Sequence, residues 1–200
     1  MPDDRTDAEL IGVILGGRAR RAAARLLERF GGLRQLLDAE ADAVRRLDGL
    51  GPAVAARIQA MPELARRYFE SGLPVGEPIR CPTDTELYLK ARLRHLGHEV
   101  FCCLYLDNRH RVLRFDEMFR GTIDGTSVYP REVVKEALSV NAAAVILAHN
   151  HPSGVAEPSQ ADERITRRLK AALELVDIRL LDHIIVGDGR ATSLASRGLI

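Results

Sequence analysis

The feature that most constrains the fold of this chain is a run of seven apolar residues, Ala142 to Ala148, that leads directly into His149-Asn150-His151. A short apolar run bounded by polar residues and a proline predicts a buried β-strand. Val100–Leu106 is a second apolar run, dense in strand-forming residues, and we expect it to lie beside the first. Stretches with helical periodicity separate the predicted strands, and strands that alternate with helices predict a layered α/β domain.

The remaining patterns divide the chain into a helical part and an α/β part. Residues 1–70 show helical spacing of apolar residues, with a third helix over Asp38–Leu47 and a fourth that begins at Pro52. Residues 71–82 contain three prolines and two glycines with little periodicity, which predicts a linker. We expect an α/β domain over 83–200, with further strands at 112–115, 118–123 and 180–186, and helices at 84–95, 130–138 and 159–175.

Composition limits the kinds of partner. The formal net charge is +1, so the chain lacks the overall basic field that attracts nucleic acid or anionic lipid, and any DNA contact must be local. The longest apolar run is too short to span a bilayer, and the N-terminal residues lack an apolar signal core. We therefore expect a cytoplasmic protein with no membrane partner, in which three cysteines are reduced and buried: Cys81, Cys102 and Cys103.

The residues that follow the apolar run have the spacing of a metal site. On an extended strand end, residues i and i+2 point to the same face, so His149 and His151 can present both imidazoles to one ion. A turn follows at Pro152, Ser159 is a natural helix N-cap, and Asp162 then falls in the first helical turn. Two imidazoles and one carboxylate suit one zinc ion per chain, with the fourth position left for water, as in catalytic sites.

A hydrolytic zinc site also needs a proton carrier. Glu99 is the best-placed candidate, because it stands at the start of the predicted strand Val100–Leu106. The sequence leaves two roles open for Ser159, which can cap the helix, donate a hydrogen bond to a developing oxyanion, or do both. Asp182-His183 can orient a ligand imidazole or form a buried hydrogen-bonded pair, and we favour the pair. Three other glutamates compete for the role of base: Glu117, Glu132 and Glu136.

The spacing His-x-His-Pro, six residues, Ser, two residues, Asp resembles the JAMM (MPN+) zinc metalloprotease motif. Two further segments, Phe119–Thr122 and Ser127–Val134, together with Ala148–Gly154, resemble the RadC family, and so does Leu181-Asp182-His183. The resemblance implies a JAMM/MPN-type layered mixed-sheet α/β (α+β) domain and hydrolysis of a peptide or isopeptide bond in a protein or peptide substrate. It also implies that Glu99 is the general base, since the setting His98–Phe101 matches the family's base position.

The helical part carries a second resemblance. Leu47–Ile58 is similar to the hairpin of a helix-hairpin-helix module, in which Gly49, Leu50 and Gly51 would let the backbone approach a DNA phosphate without reading sequence. The helical part can instead dock a protein or serve as a purely structural cap. The alternative to a hydrolase is a non-enzymatic, DNA-associated scaffold in repair or recombination. A nuclease with scattered His-Asn-His residues and a zinc deaminase are both disfavoured, since the histidines here are nearly consecutive and the deaminase cysteine motif is missing.

Overall fold

The computed structural model of the protein describes residues 4–46, 51–71, 75–79, 81–121 and 127–200. It divides into two compact units, Met1–Arg67 and Tyr68–Ile200, and each is considered by itself. The domain limits predicted from sequence, 1–70 and 83–200, remain predictions. Within the predicted linker, residues 75–79 are hydrogen bonded to the start of a strand, since the Gly76 N–H donates to the Val112 carbonyl at 2.8 Å and the Val112 N–H donates to the Glu77 carbonyl at 3.0 Å.

The described part of the first unit is helical, and short helices surround a small apolar core. The elements are α1 (Asp7–Leu15), a 3-10 helix (Gly17–Ala22), α2 (Ala23–Phe30), α3 (Leu33–Leu37), α4 (Ala41–Arg45) and the start of α5 (Pro52–Ser71). The predicted third helix over Asp38–Leu47 is present in its central part as α4, which begins later than predicted because Glu40 is extended and acts as the N-cap, and Leu47 lies outside the described residues. Five fully buried side chains form the centre of the core: Ile11, Leu15, Leu26, Leu36 and Ile58.

The described part of the second unit is a five-stranded mixed sheet with helices on both faces. Its elements are α6 (Pro82–Leu93), β1 (Val100–Leu106), β2 (Val112–Arg120), α7 (Pro130–Ser139), β3 (Ala144–Asn150), α8 (Gln160–Glu174), β4 (Arg179–Val186) and β5 (Thr192–Ser193). The strand order is β2-β1-β3-β4-β5, and only β3 and β4 are parallel. The predicted contact between the two apolar runs is confirmed, because β1 pairs with β3 and Phe101 lies opposite His149.

The sheet is buried on both faces, which is why β1 and β3 are apolar throughout. Alternate residues of each strand point to opposite faces. On one face, Cys102 and Leu104 pack with the α6 residue Leu89, and on the other, Cys103 and Tyr105 join the cluster that α7 and α8 cover. The prediction of buried cysteines holds for Cys102 and Cys103, whereas Cys81, which precedes α6, is only half-buried.

Two strand boundaries differ from the predictions, for a common reason. The polar residues Asp116 and Glu117 do not form a turn between two strands, because both pair with β1, and β2 is therefore one strand over Val112–Arg120. Likewise β3 extends past Ala148, since His149 pairs with both neighbouring strands and Asn150 pairs with Val186. Pairing with neighbours thus extends both strands beyond their apolar residues. None of the described helices is long and apolar enough to cross a membrane.

Candidate metal centre

Two imidazoles meet at the carboxyl end of β3. His149 is the penultimate residue of the strand, and His151 follows it with an N–H that donates to the Val186 carbonyl at 2.9 Å. Because the pairing continues past the strand end, both side chains keep the same orientation, toward α8. Their Nε2 atoms are 3.0 Å apart. His149 is almost completely buried and His151 is half-buried.

A carboxylate at the start of α8 completes the group. Ser159 is the N-cap of α8, and its Oγ accepts the Asp162 N–H at 3.2 Å, while the Ser159 N–H donates to Asp162 Oδ2 at 2.7 Å. This reciprocal capping box fixes the Asp162 side chain against the helix end. Asp162 Oδ1 then lies 3.2 Å from His149 Nε2, and Oδ2 lies 3.6 Å from His151 Nε2. The predicted triad is brought together, with its ligand atoms all within 4.8 Å of one another.

The proton on His151 can be placed from its partner. His151 Nδ1 is 2.7 Å from the Val155 carbonyl oxygen, which can only accept a hydrogen bond. Nδ1 therefore carries the hydrogen, and in the neutral ring Nε2 keeps its lone pair. That lone pair faces Asp162 and the ring of His149, as a metal ligand requires.

A buried chain of hydrogen bonds places the proton on His149 in the same way. The Thr166 hydroxyl donates to the Asp162 carbonyl at 2.6 Å and so must accept from His183 Nδ1, also at 2.6 Å. His183 Nε2 is then an acceptor, and it takes the His149 Nδ1–H at 2.8 Å. His149 Nε2 is thereby left with its lone pair toward His151. Burial lowers the pKa of His183 well below the ordinary value, so this ring is neutral at pH 7.

The donor set fits a small divalent cation with nitrogen and oxygen preferences. Two lone pairs and a carboxylate that converge without a cation repel one another. Ligand atoms 2.0–2.1 Å from a tetrahedral zinc ion are about 3.3 Å apart. The two Nε2 atoms here are 3.0 Å apart, and they lie 3.2 and 3.6 Å from the two different carboxylate oxygens of Asp162, which is close to that spacing. Burial raises the pKa of Asp162, but its neighbours outweigh burial and hold this pKa far below its ordinary value. These neighbours are the His149 and His151 rings, which would donate to the carboxylate only when a proton stands in the place of the cation, and the Ser159 N–H.

Glu99 reaches the same place from the neighbouring strand. It directly precedes β1, and because β1 is antiparallel to β3 with Phe101 opposite His149, the start of β1 lies beside the end of β3. A cavity of about 1320 Å³ is lined by Glu99, His151, Ser159 and Asp162 together. Glu99 is half-buried, and among the described residues no hydrogen-bond or ion-pair partner engages its carboxylate.

The competing glutamates lie elsewhere and are engaged by cations. Glu117 contacts Arg92 and Arg120, Glu132 contacts Lys135, and Glu136 contacts Arg114. None of these three lines the cavity that holds the metal-site residues. Among the described glutamates, Glu99 is therefore the one in position to exchange protons in the cavity.

Three buried polar residues near the site, His183, Thr166 and Asn150, are ones whose roles the sequence patterns do not predict. The predicted pair Asp182-His183 is hydrogen bonded through the backbone, since the Asp182 carboxylate accepts the His183 N–H at 2.7 Å and the Ser193 hydroxyl at 2.6 Å, while the His183 ring faces His149. His183 thus orients a ligand imidazole, which is the interpretation that the sequence favoured less. Its position within the largely apolar stretch Leu180–Val186, in a strand that follows the Asp162 helix, was the available signal.

The structure does not test the predicted DNA-contact residues. Gly49 and Leu50 lie outside the described residues. Gly51 is exposed and directly precedes α5. Sequence-independent DNA contact through the helical part therefore stays a prediction.

Comparison with known proteins agrees with this geometry. A family model described as the RadC-like JAB domain matches residues 79–199. The UPF0758 protein of Nitrosococcus oceani is 58% identical over 204 residues, which cover 100% of this chain and 91% of that protein. The UPF0758 proteins of Thioalkalivibrio sulfidiphilus and Marinobacter nauticus are 56% and 54% identical, each over 98% of this chain and 89% of the relative. The mixed sheet is of the JAB/MPN type, and the chain belongs to the RadC family.

Proposed function

We propose that the protein is a zinc-dependent hydrolase of the JAMM type that cleaves a peptide or isopeptide bond. One observation carries the proposal: the ligand atoms of His149, His151 and Asp162 converge beside a cavity that His151, Asp162 and Glu99 line, and no described residue hydrogen-bonds the Glu99 carboxylate. The two Nε2 atoms and the Asp162 carboxylate face one another, as metal ligands do around a cation, and the cavity gives a reacting molecule access to them.

The residues present would hold one zinc ion through the two Nε2 atoms and the Asp162 carboxylate. When bound, zinc supplies a water whose pKa is lowered to about 7 and polarises a carbonyl oxygen. Glu99 accepts the proton released as the water attacks the carbonyl carbon. It then returns that proton to the leaving nitrogen, so that the carboxylate is regenerated when the C–N bond breaks.

Ser159 serves both the helix and the cavity in this proposal. Its Oγ accepts the Asp162 N–H, and this contact uses a lone pair and leaves the hydroxyl hydrogen free to turn. Ser159 also lines the cavity, so the hydroxyl can donate to the oxygen on which negative charge develops. The capping role is present in the structure, and the oxyanion role is part of the proposal.

A polypeptide fits the cavity better than a small polar metabolite. Beyond the polar cluster the lining is largely apolar, with Phe101, Val128, Tyr129, Pro152 and Ile165. The volume of about 1320 Å³ exceeds that of most small-molecule sites, which are roughly 300–1,000 Å³. Such a lining suits the side chains on either side of a peptide or isopeptide bond.

The proposal is tested by Glu99→Gln, which keeps the shape of the side chain and removes its capacity to accept a proton. We expect this variant to retain one zinc per chain by metal analysis and to lose hydrolysis by a factor of about 10²–10⁴. New protein termini and isopeptide remnants are measured by mass spectrometry in cells that lack the gene and carry either the wild type or the variant. Glu132→Gln, on the surface of α7, is the matched control and should behave as wild type.

Two outcomes would contradict the proposal. If Glu99→Gln produces the same termini and remnants as the wild type, then Glu99 is not the base. If neither protein changes the termini or remnants, yet both restore the growth of gene-deleted cells under DNA damage, the DNA-associated scaffold replaces the hydrolase.

A further inference from the structure

Asn150 is a buried polar residue of the site region that the proposed reaction does not use. It is the last residue of β3, between His149 and His151, and strand alternation turns it to the face opposite theirs. Its side chain is completely buried. There it meets the segment that joins α6 to β1, which contains Glu99.

Every hydrogen-bonding group of the Asn150 amide is used in this segment. Oδ1 accepts the Val100 N–H at 2.8 Å. Nδ2 donates to the His98 carbonyl at 3.0 Å and to the Leu96 carbonyl at 3.3 Å. The amide therefore holds the backbone on both sides of Glu99, and the Glu99 carbonyl is itself held by the Gly121 N–H at 2.8 Å.

The three backbone partners of the Asn150 side chain can be satisfied only by an amide that reaches this far. One backbone donor and two backbone acceptors require a side chain with one acceptor and two donors, which Asn and Gln supply and Asp, Ser and His do not. An aspartate would place a second acceptor, carrying charge, against two carbonyl oxygens. The strand itself does not need the side chain, because its pairing with Val186 uses the backbone.

We propose that Asn150 is a positioning residue that fixes Glu99 relative to the metal ligands. The inference rests on the proposed function, since it gives Asn150 a role only through Glu99 as the base. Three consecutive residues at one strand end then set the reaction geometry: His149 and His151 hold the cation on one face, and Asn150 holds the base-bearing segment on the other. A shift in the α6–β1 segment would move the carboxylate without disturbing the imidazoles.

The first test measures the backbone directly, by amide hydrogen exchange of the zinc-loaded full chain. In Asn150→Ala we expect exchange at Val100 to rise at least tenfold, while Leu147 in the middle of β3 stays protected and zinc stays at one per chain. Asn141→Ala is the matched control, because Asn141 lies at the opposite end of β3 with a left-handed backbone and its replacement also strains the fold. Unchanged exchange at Val100 in Asn150→Ala would overturn the proposal.

The second test asks whether Asn150 acts through Glu99. The visible absorption of the Co²⁺-loaded protein is titrated with pH for the wild type, Glu99→Gln, Asn150→Ala and the double variant. We expect Glu99→Gln and Asn150→Ala each to shift the pH midpoint of the absorption change in the same direction. The midpoint of the double variant should equal that of Glu99→Gln alone.

The outcomes separate the two claims. A midpoint shift by Asn150→Ala that adds to that of Glu99→Gln would show an independent structural effect and overturn the positioning role alone. If Glu99→Gln leaves the pH midpoint unchanged, the Glu99 carboxylate does not lie near the solvent ligand of the metal ion. The proposed function then fails, and the positioning role fails with it.

Discussion

Replacing Thr166 by Val tests the buried hydrogen-bond chain behind His149. Thr166 is 1% exposed, and the change keeps the shape of its side chain but removes the hydroxyl. In the wild type this hydroxyl accepts the His183 Nδ1–H at 2.6 Å. In the variant that N–H lacks its acceptor within a buried site, which costs about 1–3 kcal/mol.

The variant can avoid this cost only by a shift of ring hydrogens that weakens the metal site. If His183 moves its hydrogen to Nε2, that hydrogen points at His149 Nδ1 at 2.8 Å and forces the His149 hydrogen onto Nε2, among the metal ligands. Losing a residue that orients a ligand in this manner weakens metal binding about 10–100-fold. That factor corresponds to about 1.4–2.7 kcal/mol, within the cost of the lost hydrogen bond.

Competition with a chromogenic zinc chelator measures the affinity, and urea unfolding of the zinc-free protein measures stability. Thr166→Ser is the matched control, because it keeps the hydroxyl, and its zinc affinity should stay within about threefold of the wild type, well under the loss expected for Thr166→Val. A folded Thr166→Val variant that binds zinc within twofold of the wild type would refute the proton placement. So would an equal loss of affinity in Thr166→Ser.

Three further predictions concern the metal ligands, pH and packing. Asp162→Asn keeps the helix cap but removes the anionic ligand, so the purified variant should contain less than about a tenth of a zinc ion per chain, and retention of one zinc would refute the site. Hydrogen bonding to Asp162 raises the pKa of His151. Protons therefore begin to compete with zinc for His151 at a pH above the ordinary histidine pKa of about 6.5. Zinc affinity should fall about tenfold per pH unit on further acidification, and a constant affinity from pH 8 to 5 would exclude His151 as a ligand. In Gly187→Ala the new Cβ would lie 2.4 Å from the Gly154 carbonyl oxygen, so we expect a loss of about 1–3 kcal/mol in urea unfolding. Gly189→Ala, with nothing within 4 Å, should be nearly neutral, and equal stability of the two variants would contradict the close approach.

The patterns that the sequence predicted correctly are local ones. The i, i+2 spacing of His149 and His151 depends only on strand alternation, and the capping of α8 by Ser159 depends only on the first turn of a helix. The apolar runs predicted both central strands, because a strand that is buried on both faces of a sheet is apolar at nearly every position. These short-range rules were enough to place Asp162 beside the imidazoles.

The tertiary structure decided the features that depend on pairing between distant segments. His183 reaches His149 because β3 and β4 are parallel, with His183 beside Leu147, and nothing local to Asp182-His183 reveals that register. Asn150 meets the segment before β1 only because β1 runs antiparallel to β3. Hydrogen bonding between strands also overrode local polarity at Asp116. The sequence by itself therefore determined which side chains can bind a metal ion, and the sheet determined which residues orient them, since register is a property of two strands.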